Sequence, residues 1–206
     1  MDILKLNEEA NISFCQKYSP ELISYIEKAK KHKVVLLYMP TFRDDDPEYF
    51  EKCEIDYPLL NEKLKSINGI LFLKLHPLTK HSVLEQYENI VQIDNSVDIY
   101  PFLIYTTYLI TDYSSIYFDY LVLDKEIIFV PYDYDNYVSH RELYFEYDSV
   151  TPGKKYSSFG ELVRNLDSLN KLDYKKEREE VRKLLYDEYR FDACEKTFKF
   201  IQSRYQ

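Results

Sequence analysis

The sequence predicts an open α/β fold built on a mostly parallel sheet of about five strands with flanking helices. Five short apolar runs between residues 34 and 133 alternate with short helical patterns. This alternation is typical of parallel strands joined by right-handed crossovers. The chain has 206 residues, of which 45% are hydrophobic and 31% charged. A packed core is therefore expected, and disorder is not.

The first two predicted strands both end at a proline. The run VVLLYMP is apolar, begins with β-branched residues and ends at Pro40, a pattern that favours a buried strand. The run ILFLKLHP is a second predicted strand, and it ends at Pro77. Leucines at helical spacing before Asn68 and Gly69 predict a helix between the two strands. The elements predicted here are a helix over 20–31, a strand over 34–40, a polar loop, a helix over 57–67 and a strand over 70–77.

Three more strands alternate with helices in the next part of the chain. The runs NIVQID, YLITDY and EIIFVPYD are short and apolar at their starts, and turn-forming or proline-containing segments bound them. In order, the sequence predicts a helix over 81–87, a strand over 89–94, a helix over 96–106, a strand over 108–113, a helix over 114–123 and a strand over 126–133.

The alternation stops after Asp133. Residues 134–155 form a predicted long aromatic loop, and three helical stretches follow over 157–169, 174–188 and 192–203. We divide the chain into an N-terminal helical extension, residues 1–33, and an open α/β domain with C-terminal helices, residues 34–206.

Composition excludes several classes of function. The formal net charge of −9 opposes sequence-independent nucleic-acid binding, which depends on neutralising phosphates. Three separated cysteines without a CxxC pair predict neither a disulfide framework nor a zinc site. The acidic triplet 44–46 resembles a metal site in composition, but three adjacent carboxylates do not all converge on one cation, so no metal and no cofactor are expected. The N-terminus lacks the features of a signal peptide and no apolar run reaches membrane-span length, which predicts a cytoplasmic protein.

Polar residues follow the predicted strands at their carboxyl ends, where open parallel sheets bind ligands. Arginine, histidine, serine and aspartate at one sheet edge suit a phosphate ester. The stretch TDYSS is a strand-to-helix turn without glycine, which argues against a P-loop or a dinucleotide fingerprint. The candidate binding residues from these strand ends are Thr41, Arg43, His76, Asp112, Ser114 and Ser115.

Four of these residues also have a purely structural interpretation. Ser114 suits a helix N-cap and Asp112 a turn former. His76 alone is more often a structural histidine, and Arg43 alone is more often a surface residue or an ion-pair partner of the neighbouring aspartates. The coincidence of several such residues at one sheet edge is what favours a binding site.

Several motifs occur in the order found in a known family. YMPTFRDDD, LKLHP, LITDYSSIYFDYLVLDKEIIFVPYDYDNY, RELYFEYDSVTPG and YRFDACEKTFKFI together resemble the CDP-glycerol glycerophosphotransferases of teichoic acid and capsule synthesis, over roughly residues 34 to 203. The resemblance implies the Rossmann-like C-terminal half of a GT-B-like catalytic region, the half that holds the nucleotide donor. The family's usual Asp-Gly pair near the end is Asp192-Ala193 here.

The resemblance also implies roles for individual residues. Arg43 and His76 would contact the donor pyrophosphate as catalytic groups, and Ser114 and Ser115 would hold a phosphate. Asp119 would bind a ribose or glycerol hydroxyl or serve a structural role. The remaining candidates are Tyr132 and Asp133, which would line the nucleoside pocket, and Arg141, whose task the resemblance leaves unassigned.

The expected function is transfer of glycerol phosphate from CDP-glycerol to a polymeric or lipid-linked teichoic acid or capsule acceptor. A separate N-terminal half is an expected partner, and without it the chain is expected to be inactive. The family also implies peripheral attachment at the inner membrane face. The alternatives are a CDP-ribitol transferase, a GT-B sugar-nucleotide glycosyltransferase or epimerase, and a non-catalytic nucleotide-binding or scaffold module.

Overall fold

The computed structural model describes residues 2–44, 46, 48–79, 87–186 and 192–204, and its centre is one parallel sheet. Every pair of neighbouring strands runs parallel, in the spatial order β3-β2-β1-β4-β5-β6. The open parallel α/β fold is therefore confirmed, with a short sixth strand added. The strands are β1 (Val34–Tyr38), β2 (Gly69–Leu73), β3 (Ile90–Gln92), β4 (Tyr108–Thr111), β5 (Glu126–Phe129) and β6 (Lys154–Lys155).

The strand order reverses between β1 and β4, and this position determines where a ligand can bind. β1 pairs with β2 on one side and with β4 on the other, Leu37 lying opposite Phe72 and Leu109. The chain leaves the two central strands in opposite directions, which opens a crevice beyond their carboxyl ends. The loops that begin at Met39 and Asp112 border this crevice.

The sheet is buried on both faces, because its strands are apolar at every position rather than at alternate ones. Leu36 and Leu37 are both fully buried, yet they belong to separate hydrophobic cores on the two faces. Side chains alternate across a strand, so a strand covered on both faces needs apolar residues throughout. The run VVLLY meets this requirement.

Nine α-helices surround the sheet within the described residues. Asn7, Asp56 and Ser158 cap three of them by accepting a backbone N–H of the first turn. The helices are α1 (Glu8–Tyr18), α2 (Leu22–Ala29), α3 (Tyr57–Ser66), α4 (Ile116–Tyr120), α5 (Tyr134–His140), α6 (Tyr147–Val150), α7 (Phe159–Arg164), α8 (Lys175–Tyr186) and α9 (Ala193–Arg204). The helix predicted over 96–106 is a 3-10 helix, Tyr100–Tyr105.

The N-terminal helices pack on the sheet domain. Cys15 and Ile26 lie in the same hydrophobic core as Leu37 of β1. The Nδ2 atom of Asn11 in α1 donates at 3.1 Å to the carbonyl of Pro101, which belongs to the 3-10 helix. Residues 2–33 therefore share a core with the sheet, while the boundary at residue 33 stays a prediction.

The segment after β5 differs from the long loop that the sequence predicted. The segment contains α5, α6 and β6, and the prediction of a loop over residues 134–155 was therefore wrong. The reason is tertiary packing, because the ring of Tyr137 stacks on Tyr113 at 4.0 Å and Tyr147 is buried against Phe129. Two short helices, α7 and the 3-10 helix Leu166–Lys171, replace the single helix predicted over 157–169.

Two sequence predictions concern regions that the structure describes in part. Residues 80–86 lie outside the described residues, and the helix predicted over 81–87 falls almost wholly there. The helix predicted over 174–188 corresponds to α8, which ends at Tyr186. Among the helices of the described ranges, each is too short or too polar to cross a membrane.

Candidate functional site

A cavity of about 590 Å³ opens beyond the carboxyl ends of β1, β2 and β4. The structure brings several sequence-predicted residues to its wall, together with others that the sequence did not single out. The predicted residues are Thr41, His76, Ser114, Ser115 and Arg141, and the additional polar or aromatic residues are Phe42, Asp44, Lys74 and Tyr113. The cavity lies at the reversal of strand order, where an open parallel sheet binds ligands.

His76 lies in the loop that follows β2, with its ring stacked on Phe42. The ring centroids are 4.7 Å apart and the planes differ by 25°. The backbone N–H of Leu78 donates to Nδ1 of His76 at 3.3 Å. Because Nδ1 accepts a hydrogen bond, the neutral ring carries its proton on Nε2. His76 therefore offers an Nε2–H donor from an exposed side chain.

The two serines follow β4 and precede α4, as the strand-turn-helix interpretation predicted. Ser115 stands in the N-cap position but its side chain makes no capping hydrogen bond, and the residue is exposed. The Oγ atom of Ser114 is 3.5 Å from the backbone nitrogen of Ile116, at the long limit for a hydrogen bond. The hydroxyl of Ser115 is thus not occupied in capping, which removes the main structural explanation for it.

Asp112 is fully buried, and its carboxylate joins two loops. Its Oδ1 atom accepts from the backbone N–H of Thr41 at 2.8 Å, from Oγ1 of Thr41 at 2.7 Å and from the N–H of Tyr113 at 2.6 Å. Its Oδ2 atom accepts from Nη2 of Arg43 at 2.9 Å. The carboxylate does not line the cavity, so its contacts are those of a positioning residue.

Arg43 is also buried, contrary to the surface position that its polar loop suggested. Only 7% of the residue is exposed. Its Nε and Nη2 atoms donate to both oxygens of Asp133, Nη2 also donates to Asp112, and Nη1 donates to the carbonyl of Thr41. These bonds use four of the five N–H groups of a guanidinium.

Aromatic rings complete the surroundings of Arg43. Its guanidinium carbon lies 4.9 Å from the ring centroid of Tyr113 and 4.8 Å from that of Tyr137. Burial would lower the pKa of Arg43, but the hydrogen bond to Asp133 and the charges of Asp112 and Asp133 outweigh it and raise the pKa. Arg43 is a permanent buried cation that holds three loops together.

Three other predicted residues lie away from the wall of the 590 Å³ cavity. The carboxylate of Asp119 accepts a hydrogen bond from the hydroxyl of Tyr100 at 2.5 Å. The hydroxyl of Tyr132 donates to the carbonyl of Tyr49 at 2.8 Å, and Asp133 is paired with Arg43. The structure therefore does not bring Asp119, Tyr132 and Asp133 together with the serines and His76, and their ligand-binding roles stay predictions.

Lys74 lines the cavity and is not among the residues that the strand ends predicted. It follows β2, is 8% exposed, and donates from Nζ to the carbonyls of Asp94 and Asn95 at 3.0 and 2.8 Å. Burial lowers the pKa of Lys74 from its ordinary value, although the nearby carboxylates oppose the shift. A lysine inside the otherwise apolar run ILFLKL was the available signal, because charged residues are rarely buried without partners.

Arg141 lies just after α5 and forms an ion pair with Asp44, which follows β1. Their side chains are 51% and 55% exposed. Both residues also line a second cavity of about 300 Å³ between the β1 loop and α5, to which Arg43 contributes as well. The pair thus stands between the two cavities.

Comparison with known proteins identifies relatives over most of the chain. The family model described as CDP-Glycerol:Poly(glycerophosphate) glycerophosphotransferase matches residues 14–192. The chain is 30% identical over 153 residues to the teichoic acid ribitol-phosphate polymerase TarK of Staphylococcus aureus, which is 72% of this chain and 29% of TarK. It is 34% identical over 147 residues to a teichoic acid glycerol-phosphate primase of Bacillus spizizenii, which is 71% of this chain and 38% of the primase.

A solved structure of a variant of the wall teichoic acid polymerase TagF, soaked with CDPG, has a similar fold. The TM-score is 0.67 at 27% identity, and the match covers 98% of this chain and 50% of that one. The chain therefore spans about a third of the length of each of the two curated relatives and half of the length of the solved chain.

Proposed function

The chain belongs to the CDP-glycerol:poly(glycerophosphate) glycerophosphotransferase family, a family of transferases, and we propose that its 590 Å³ cavity binds the diphosphate of a CDP-polyol donor. The observation that supports this proposal is the convergence of His76, Ser115 and Arg141 at one cavity beyond the central strands. Diphosphate oxygens accept hydrogen bonds, and these three side chains are hydrogen-bond donors.

Each cavity residue suits a part of such a ligand. The Nε2–H of His76 and the hydroxyls of Ser114 and Ser115 donate to phosphate oxygens, while Arg141 and Lys74 supply positive charge. Charge-assisted hydrogen bonds of this kind contribute about 1.5–3 kcal/mol each. The direct contact predicted between Arg43 and the pyrophosphate receives less support, because that guanidinium already donates to Asp112, Asp133 and Thr41.

We propose that the whole protein transfers a polyol phosphate to a teichoic acid or capsule acceptor. The acceptor hydroxyl oxygen forms a bond to the β-phosphorus, and the bond from that phosphorus to the bridging oxygen breaks. CMP leaves with the bridging oxygen, and the hydroxyl proton passes to a general base. Negative charge grows on the bridging and equatorial oxygens, where the Nε2–H of His76 would stabilise it.

CDP-glycerol is the donor that we propose first, because the matching family model names it and the TagF variant was soaked with CDPG. CDP-ribitol is the second candidate, since TarK is a ribitol-phosphate polymerase. The two polyols differ in length and in hydroxyl number, and the binding of the diphosphate leaves that choice open.

Calorimetric titration with CDP-glycerol, CDP-ribitol and a UDP-sugar tests the proposal. We expect one CDP-polyol to bind and His76→Gln to weaken its binding about tenfold. His32→Gln, in the loop between α2 and β1, serves as the matched control and should retain affinity. Preference for the UDP-sugar would indicate a sugar-nucleotide enzyme, and binding of none of the three would indicate a non-catalytic module.

A further inference from the structure

The ion pair between Arg141 and Asp44 occupies an unusual position, because a carboxylate lines a cavity proposed to hold phosphates. Both residues belong to the wall of the 590 Å³ cavity and to that of the smaller cavity beside it. A carboxylate at a phosphate site repels the ligand unless a cation neutralises it. In the free protein that cation is Arg141.

The pair is of a kind that separates readily. About half of each side chain is exposed, 51% for Arg141 and 55% for Asp44. Exposed ion pairs contribute little net free energy, because water solvates both charges when they part. This contrasts with Arg43, which is 7% exposed and has fully buried Asp112 as one of its partners. The cation able to change partners is therefore Arg141.

We propose that Arg141 exchanges Asp44 for a phosphate of the bound donor, so that Asp44 acts as an intramolecular competitor for the donor diphosphate. This inference rests on the proposed function of the cavity. A guanidinium binds phosphate oxygens through two parallel N–H donors, and a diphosphate carries more charge than a carboxylate. Binding of the donor then replaces a weak ion pair by a stronger one.

The exchange gives Asp44 a definite role in affinity. In the free protein Asp44 holds the guanidinium of Arg141 at the cavity wall. In the complex the carboxylate of Asp44 has lost this partner and is solvated by water. The donor must overcome this competition, which weakens its binding. Removal of the Asp44 charge therefore strengthens donor binding, an outcome that a merely structural surface pair does not produce.

A double-mutant cycle on the 206-residue chain tests the exchange, with titration of CDP-glycerol and CDP-ribitol. We expect Asp44→Asn to strengthen donor binding about three- to fivefold, and Arg141→Gln to weaken it about tenfold. In the Arg141→Gln background, Asp44→Asn should strengthen binding by a smaller factor, because only simple repulsion of the ligand remains to be relieved.

Asp46 offers the matched control. It lies in the same loop and pairs with Lys52, but it lines only the smaller cavity. Asp46→Asn removes an equal charge nearby and should leave donor affinity within about a factor of two. An equal gain in affinity from Asp46→Asn would reduce the effect to general electrostatics and overturn the exchange.

The remaining outcomes separate the two proposals. If the unmodified chain binds a CDP-polyol and Arg141→Gln does not weaken that binding, the exchange is wrong and the proposed function stands. Equal strengthening by Asp44→Asn in both backgrounds also contradicts the exchange, because the two charges would then act independently. If the unmodified chain binds neither CDP-polyol, the proposed function fails and the exchange fails with it.

Discussion

The Nη2 atom of Arg43 lies 2.9 Å from the Oδ2 atom of Asp112, and both side chains are buried. This ion pair joins the loop after β1 to the loop after β4, across the position where the strand order reverses. Asp112 also accepts two hydrogen bonds from Thr41, so the wall of the cavity depends on this one carboxylate.

Replacement of Asp112 by asparagine should destabilise the protein by about 3–5 kcal/mol, as expected when one partner of a buried ion pair loses its charge. The amide Oδ1 can still accept from Thr41, but the new NH₂ group then faces a donor on Arg43. Urea denaturation measures the free energy of unfolding. Glu88→Gln, in the exposed pair with Lys65, is the control and should cost less than about 1 kcal/mol. Similar small losses for both variants would contradict a structural role for Asp112.

Arg43→Lys should lower both the stability and the donor affinity. Lysine retains the charge but lacks the planar fork that donates to Asp112 and Asp133 together. We expect donor affinity to fall at least tenfold, about 1.4 kcal/mol, because the loops at the cavity lose their common anchor. Paired measurements of melting temperature and donor affinity check this. A loss of affinity at unchanged melting temperature would instead support direct contact between Arg43 and the ligand.

Ser115→Asp should abolish donor binding while stability is kept. The side chain is exposed and makes no capping bond, so a carboxylate there is tolerated and mildly favourable near a helix N-terminus, by about 0.3–1 kcal/mol. At the cavity wall the same charge repels a diphosphate. Ser24→Asp adds an equal charge at an exposed position of α2 and should leave affinity unchanged. Retained affinity in Ser115→Asp would mean that the phosphates bind elsewhere.

Lys125 should make stability rise with pH above about 8. Burial lowers its pKa to about 8, and its Nζ donates to the carbonyls of Ile104 and Thr106 at 2.6 and 2.7 Å. An unfolded lysine titrates near about 10.4, so between these values the unfolded chain binds more protons and the free energy of unfolding increases with pH. Below the folded pKa both states are charged and this contribution is flat.

The measurement for Lys125 is urea denaturation of the protein and of Lys125→Met at pH 7 and pH 9.5. The free energy of unfolding of the unmodified protein, minus that of Lys125→Met, should be larger at pH 9.5 than at pH 7. Cys53, whose pKa burial raises to about 11, has the opposite pH dependence, but it is present in both proteins and cancels. A difference that stays constant with pH would show that Lys125 is not the titrating group.

Most of the sheet could be predicted because its strands are continuous apolar runs with clear stops. β1 lies within the predicted strand 34–40, and β4 lies within 108–113. Strands buried on both faces need such runs, so the residues themselves carry the signal. β6 could not be predicted in this way, since its two lysines follow no apolar pattern and pair with β5 only because α5 and α6 return the chain to the sheet edge.

Part of the site was also accessible from sequence. Parallel strands end at the same edge of the sheet, so the residues that directly follow them are neighbours for any conformation of the loops. This rule predicted that His76 and Ser115 lie close together, and both line the cavity. The same rule grouped Asp112 with them, although its carboxylate is bonded to Thr41 and Arg43 and does not line the cavity. Strand ends predict a neighbourhood, and they leave the direction of each side chain undetermined.

The residue pattern was enough to predict the parallel α/β fold, the sheet edge at which the 590 Å³ cavity lies and several of the residues in its wall. Which charges face the cavity depends on the tertiary contacts between the loops. Arg43 stands beside three aspartates in the chain, yet its buried partners Asp112 and Asp133 lie 69 and 90 residues away. The energy of a charge depends on its burial and on its nearest partners, and both are set by loops that meet only after the sheet has formed. For that reason Arg43 is buried among carboxylates, a position that its sequence neighbours do not indicate, and Arg141 presents an exposed guanidinium at the cavity wall.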